Sequence, residues 1–121
     1  MGPCPFCNIA AGRAPAIIRA QWPDTIAIVP LRPVTPGHWL IIPRTHVTDA
    51  TTSPAVTAQT MYRAAQLSAD IEDPCNLITS VGPEATQTVM HLHIHLVPRE
   101  YGDGLPLPWT PQQTAAELAD H

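Results

Sequence analysis

The chain has 121 residues, 45% of them hydrophobic, a net charge of −4 and a mean hydropathy near zero, which bounds it to one globular domain with room for a single core. All six basic residues are arginines and they form no stripe, which argues against nucleic acid held by its phosphate backbone. The longest apolar run, Trp39-Leu40-Ile41-Ile42, is far below membrane-spanning length, and nothing at the start has a signal peptide's layout, so the expected location is the cytoplasm.

In chain order, Cys4-Pro5-Phe6-Cys7 followed by Asn8-Ile9-Ala10-Ala11-Gly12 reads as a knuckle and one helical turn stopped at glycine. Strands are expected over 17–22, 25–29 and 38–43, rich in β-branched and apolar residues, with the third antiparallel to the second because their link is short. Ser53-Pro54 offers an N-cap and a first-turn proline for a long helix over about 54–70, expected to cover one face of the sheet. A fourth strand is expected over 76–80 and a fifth over 87–97. A short terminal helix, about 111–119, follows a proline-rich tail. The fifteen prolines fall mostly in connections, as stiff links between short elements. One domain over 1–121 follows: a knuckle at 4–12, a core at 17–99 and a tail at 100–121. Strands interrupted by a single long helix imply an antiparallel α+β architecture, whose sheet edges make dimerisation an expectation.

The densest chemistry is Met90-His91-Leu92-His93-Ile94-His95-Leu96. On an extended strand alternate side chains share a face, so the three imidazoles are expected side by side, roughly 6.5–7 Å apart, with Met90, Leu92, Ile94 and Leu96 packed behind. Histidine serves as nucleophile, proton carrier or metal ligand. As a nucleophile it would split phosphoryl or nucleotidyl transfer into two steps through a phosphoramidate, with flanking imidazoles or hydroxyls stabilising the developing charge. Gln87 and Thr88 add an amide and a hydroxyl just upstream. Cys4 and Cys7 have the spacing of a zinc knuckle or of a redox pair. A four-ligand site could draw its histidines from His38, His46, His121 or the triad. Three cysteines in a cytosolic setting argue against a disulfide framework.

The run His91-Leu92-His93-Ile94-His95-Leu96-Val97 resembles the signature of the histidine triad superfamily, accompanied by Pro36-Gly37-His38 and a later Pro43-Arg44-Thr45-His46. Gly82-Pro83-Glu84-Ala85-Thr86-Gln87-Thr88-Val89 is similar to the loop of the Fhit branch, and Cys4-Pro5-Phe6-Cys7-Asn8-Ile9 to the start of bacterial Hint-like proteins. The resemblance covers about residues 4–99. It implies the triad fold, a five-stranded antiparallel sheet with one long helix, and a homodimer acting on small nucleotides, with neither nucleic acid nor membrane as partner. His93 would take up a nucleoside monophosphate, His95 would bind the α-phosphate, and His38 would complete the site and help hold the nucleophile's ring. Gln87, Thr88 and Ser80 would contact phosphate or leaving group. Cys4, Cys7, His46 and His91 would hold a structural zinc with no open position. Trp109 falls where Hint-like proteins carry a tryptophan segment reaching the partner subunit. Two positions depart from the pattern: Pro30 stands where an Asp or Asn usually holds the ribose, and Ser80 where Gln or Asn is usual.

Three activities follow as expectations. The first is a nucleotide hydrolase or nucleotidyl transferase working through His93, on phosphoramidates, dinucleoside polyphosphates or acyl-adenylates. The second is a nucleotide-binding homodimer with incidental hydrolysis. The third, a hydrolase with catalytic metal at the triad, needs an open coordination position that two thiolates and two imidazoles would close.

Overall fold

The computed structural model describes residues 4–111. Helix α1 (Pro5–Ala10) is followed by strands β1 (Ile18–Gln21), β2 (Thr25–Ile28) and β3 (Trp39–Pro43), the long helix α2 (Pro54–Ile71), β4 (Cys75–Ile78) and β5 (Ile94–Pro98). The strands form one sheet in the order β1-β2-β3-β5-β4, every neighbouring pair antiparallel. This is the expected α+β architecture with its single long helix. The expected terminal helix lies, but for its first residue, outside the described residues, as does His121.

The central strands are apolar on both faces because both faces are covered. Ala27, Ile41, Ile94 and Leu96 meet Ala64 and Leu67 of α2. Ile26, Ile28, Leu40 and Ile42 point the other way and pack against Phe6 of α1. The period of two along each strand therefore sends neighbouring residues into two different cores. Helix α2 begins where expected: Ser53 accepts the Val56 N–H at 3.2 Å and Pro54 fills the first turn. Arg63 anchors it to the sheet by pairing with Asp24 through both carboxylate oxygens, at 3.2 and 3.1 Å, with its guanidinium 5.3 Å from the Trp22 ring centre.

Gly37 sits immediately before His38 at φ +85, and a Cβ there would lie 3.0 Å from Pro98 Cγ. Glycine meets both demands, the left-handed backbone and the close approach of β5. Among the described residues no helix is long and apolar enough to cross a membrane.

One element differs from expectation. β5 starts at Ile94, not at 87, so His91 and His93 precede the strand and only His95 lies on it. The reason is the segment before it. A 3-10 turn at Pro83–Ala85 and a left-handed Thr86 (φ 73) fold the chain back. Buried Gln87 accepts the Gly82 N–H at 2.9 Å and donates to Thr48 O at 2.7 Å and Val89 O at 3.0 Å. Leu92 N–H goes to Val47 O at 2.8 Å. The segment 87–93 thus finds partners in its own loop and in 47–48 rather than in a strand ladder. Met90, expected behind the sheet, is 42% exposed as a result.

Candidate active site and metal centre

The knuckle at the start of α1 and the approach to β5 meet at four side chains. Sγ of Cys4 and Cys7 and Nδ1 of His46 and His91 all lie within 4.8 Å of one another. Cys4 Sγ is 3.3 Å and Cys7 Sγ 3.5 Å from His91 Nδ1, Cys7 Sγ is 3.3 Å from His46 Nδ1, and the two Nδ1 atoms are 3.0 Å apart. Zn–S bonds of about 2.3 Å and Zn–N bonds of about 2.0–2.1 Å give tetrahedral edges of roughly 3.3 Å between nitrogens and 3.6 Å between nitrogen and sulfur. The donor set fits zinc in kind, number and size.

Protonation points the same way. His91 Nε2 is 2.8 Å from Pro43 O; a carbonyl only accepts, so Nε2 carries the proton and Nδ1 offers its lone pair to the cluster. The Cys7 thiol is pushed up, first by burial and then by the adjacent Cys4. Zinc held there would displace the thiol protons and offset the repulsion between two adjacent thiolates.

His93 is buried, with Nδ1 2.8 Å from its neighbour's carbonyl, His91 O. By the same argument its proton is on Nδ1 and its Nε2 is a bare lone pair. Burial holds its pKa below the ordinary value, the carbonyl contact opposing this in part. The ring is neutral at neutral pH, as a nucleophile must be.

His95 and His38 form a second chain. The Val34 N–H donates to His38 Nδ1 at 3.0 Å, so that nitrogen is unprotonated and His38 Nε2 carries the hydrogen. His38 Nε2 lies 3.0 Å from His95 Nδ1, which must then accept and leaves the proton of His95 on Nε2. A main-chain N–H in the 29–37 connection therefore fixes two tautomers in series and equips His95 as a donor to an anion. Burial lowers the pKa of His38, and burial followed by the charges of His93 and His38 lowers that of His95 to about 4. The ring that His38 meets is that of His95, one strand across at the Leu40–His95 register.

Of the other candidates, Gln87 spends its carboxamide on the three loop contacts described above. Thr88 is exposed in that loop and Ser80 is half-buried just beyond β4. Pro30, after β2, is half-buried, and Trp109 is 51% exposed. Two further residues in contact with the site were not among the candidates. Thr79 donates to His93 O at 2.8 Å. Phe6 stands edge-on to both His91 and His93, with ring centres 5.9 and 5.1 Å apart. Its place between two metal-spaced cysteines was the available clue.

The HIT domain profile matches residues 11–102. The chain belongs to the histidine triad family. An uncharacterised HIT-like protein of Mycobacterium tuberculosis is 37% identical over 110 residues, spanning 85% of this chain and 76% of that protein. A plant relative, the adenylylsulfatase HINT3 of Arabidopsis thaliana, is 33% identical over 108 residues, 84% of this chain and 55% of its own length. Among solved structures, a zinc-bound histidine triad family protein from Mycobacterium smegmatis superposes with a TM-score of 0.77 at 35% identity, covering 98% of this chain and 96% of that one. The histidine triad chain described here thus shares its fold with a zinc-bound protein and carries its own four-residue zinc set. At the level of the family, the activity is nucleotide hydrolysis.

Proposed function

We propose that this chain cleaves nucleoside 5′-phosphate derivatives through a covalent nucleotidyl–His93 intermediate. The observation that carries the reading is the pair of hydrogen-bond patterns, His93 Nδ1 on His91 O and His95 Nδ1 on His38 Nε2, which assign a bare Nε2 to His93 and a protonated Nε2 to His95. His93 Nε2 attacks the α-phosphorus; the P–N bond forms, and the bond to the leaving group breaks with its electron pair. His95 Nε2–H donates to a non-bridging phosphate oxygen as charge gathers there. Water then attacks the same phosphorus, the P–N bond breaks, His93 regains its lone pair, and one proton passes to solvent. His38 holds the His95 ring for this work, and Ser80 and Thr88 are available to the leaving group. The family-level substrates in reach are phosphoramidates, dinucleoside polyphosphates and acyl-adenylates. Adenylyl sulfate is added by the plant relative's name.

In this reading zinc at Cys4, Cys7, His46 and His91 is structural, since four protein ligands leave no open position. It supplies cross-linking, and no step passes through it. The active form is a homodimer in the cytoplasm, with β1 and β4 as the free sheet edges.

The test is His93→Asn. Turnover should fall by more than about 10³-fold, the scale for loss of a nucleophile, with zinc content and fold unchanged. Full activity of the variant on every nucleotidyl substrate tried would refute the mechanism. Pro30 and Ser80 favour a second reading, a nucleotide-binding dimer with incidental hydrolysis. Calorimetry with AMP and GMP beside turnover measurements separates the two, tight binding with negligible turnover supporting the second.

A further inference from the structure

Phe6 lies between the two cysteines in sequence and between two histidines in space. Its ring is 7% exposed and meets His91 at an interplanar angle of 84° and His93 at 73°, edge contacts in both cases. Its backbone is held from both sides. Cys4 caps α1 by accepting the Cys7 N–H at 3.3 Å, and both flanking cysteines belong to the metal donor set. On the far side Phe6 packs with Ile26, Ile28, Leu40 and Ile42, so it cannot retreat into a void.

His91 makes the second connection. Its Nδ1 faces the thiols, its Nε2–H is tied to Pro43 O, and its main-chain oxygen takes the Nδ1–H of His93. The His93 ring is therefore fixed at one atom by His91 and along one edge by Phe6. Both of these residues adjoin the metal set: Phe6 lies between Cys4 and Cys7, and His91 is itself one of the four donors. Of the other groups in contact, Thr79 grips the main chain of His93, and the ring of His95 stands 5.2 Å from that of His93 at 62°.

We propose that Phe6 is a positioning residue for His93, and that closure of Cys4, Cys7, His46 and His91 around zinc sets the nucleophile's ring through Phe6 and the His91 carbonyl. The coupling rests on the reading of His93 as nucleophile and extends it: occupancy of the metal set is felt at the reacting nitrogen although the ion touches no substrate. A ring displaced by about 1 Å is enough to cost up to 10²-fold in rate.

The experiment uses the full chain loaded with zinc, as wild type, Phe6→Ala and Phe6→Leu, with ¹⁵N-labelled histidine. The His93 signals are assigned by their disappearance in His93→Asn. Three quantities are read: zinc per chain, the His93 Nδ1–H signal, and kcat and KM with adenylyl sulfate. Both variants should keep their zinc and show a shifted, faster-exchanging His93 Nδ1–H. Phe6→Ala should lose about 10–100-fold in kcat with KM within about twofold, and Phe6→Leu, which restores bulk, should lose less. Chelation of the wild type should move the same signal while circular dichroism still reports a folded chain. The proposal is overturned if zinc-loaded Phe6→Ala and Phe6→Leu give wild-type His93 signals, or if chelation of the folded protein leaves them in place. Should Phe6→Ala fail to fold or chelation unfold the chain, zinc-loaded Phe6→Leu decides on the same criterion. Absence of turnover in the wild type would refute the nucleotidyl mechanism, whereas the His93 spectra would still decide the coupling.

Discussion

Acid should destabilise this fold in a way traceable to one imidazole. His95 is held to a pKa of about 4 by burial and by the charges of His93 and His38, against an ordinary value of 6.5. The folded state thus binds this proton less well than the unfolded chain, and stability rises with pH wherever the two differ. The contribution is fully present above about 6.5 and is lost as pH falls towards 4. A displacement of about 2.5 units at about 1.4 kcal/mol each gives roughly 3 kcal/mol lost between pH 7 and pH 4. His95→Asn removes the titrating group and keeps a carboxamide oxygen able to accept from His38 Nε2–H. Denaturant unfolding at pH 4, 5, 6 and 7 should show the wild type losing about 3 kcal/mol more than the variant across that window. Protonation of the cysteine thiolates is common to both proteins and cancels in the difference. Parallel stability curves would refute the placement of His95 as a buried neutral ring.

Val34→Pro removes the N–H that fixes the His38 tautomer. Loss of one hydrogen bond of about 1.4 kcal/mol corresponds to about tenfold in kcat/KM, and an unchanged value would dismiss the relay. Gln87→Ala leaves Gly82 N–H and Thr48 O without their partner. It should cost about 2–4 kcal/mol in urea unfolding, with KM for adenylyl sulfate changed less than about threefold. Metal analysis should find close to one zinc per chain, and Cys7→Ala should abolish it. The accompanying fall in Tm, about 10 °C or more, corresponds to roughly 2–4 kcal/mol. A stoichiometry near zero in the wild type would return Cys4 and Cys7 to another role.

The parts of the fold legible in the sequence are those governed by local chemistry. Ser53-Pro54 starts α2 by capping, and the apolar runs of β2 and β3 become strands because both of their faces are buried. The start of β5 was not legible. Alternation in His91-Leu92-His93 looks the same whether the chain is in a ladder or merely extended, and the tertiary contacts of Gln87 and Leu92 decide the matter. In the site, residue types pointed to the histidines and cysteines, since few other side chains perform that chemistry. The division of tautomers was hidden because carbonyls and an N–H of the main chain set it, at Val34, Pro43 and His91. Every residue type has those groups. Thr79 was equally invisible, one hydroxyl among many at the end of a strand.

Cys4 and His91 stand 87 residues apart in the chain and 3.3 Å apart in space. An ion held between them closes a loop around nearly the whole sheet. An ion that is released when the chain unfolds stabilises the folded state alone, by its own binding free energy. The order of assembly follows. During synthesis the cysteines emerge first and wait as a two-ligand stub, and the clasp closes only after β1 to β4 have been made. Metal capture therefore comes late in folding and slows unfolding more than it speeds folding. Cells short of zinc would accumulate a chain that folds at much the same rate but opens, and is cleaved by proteases, more often.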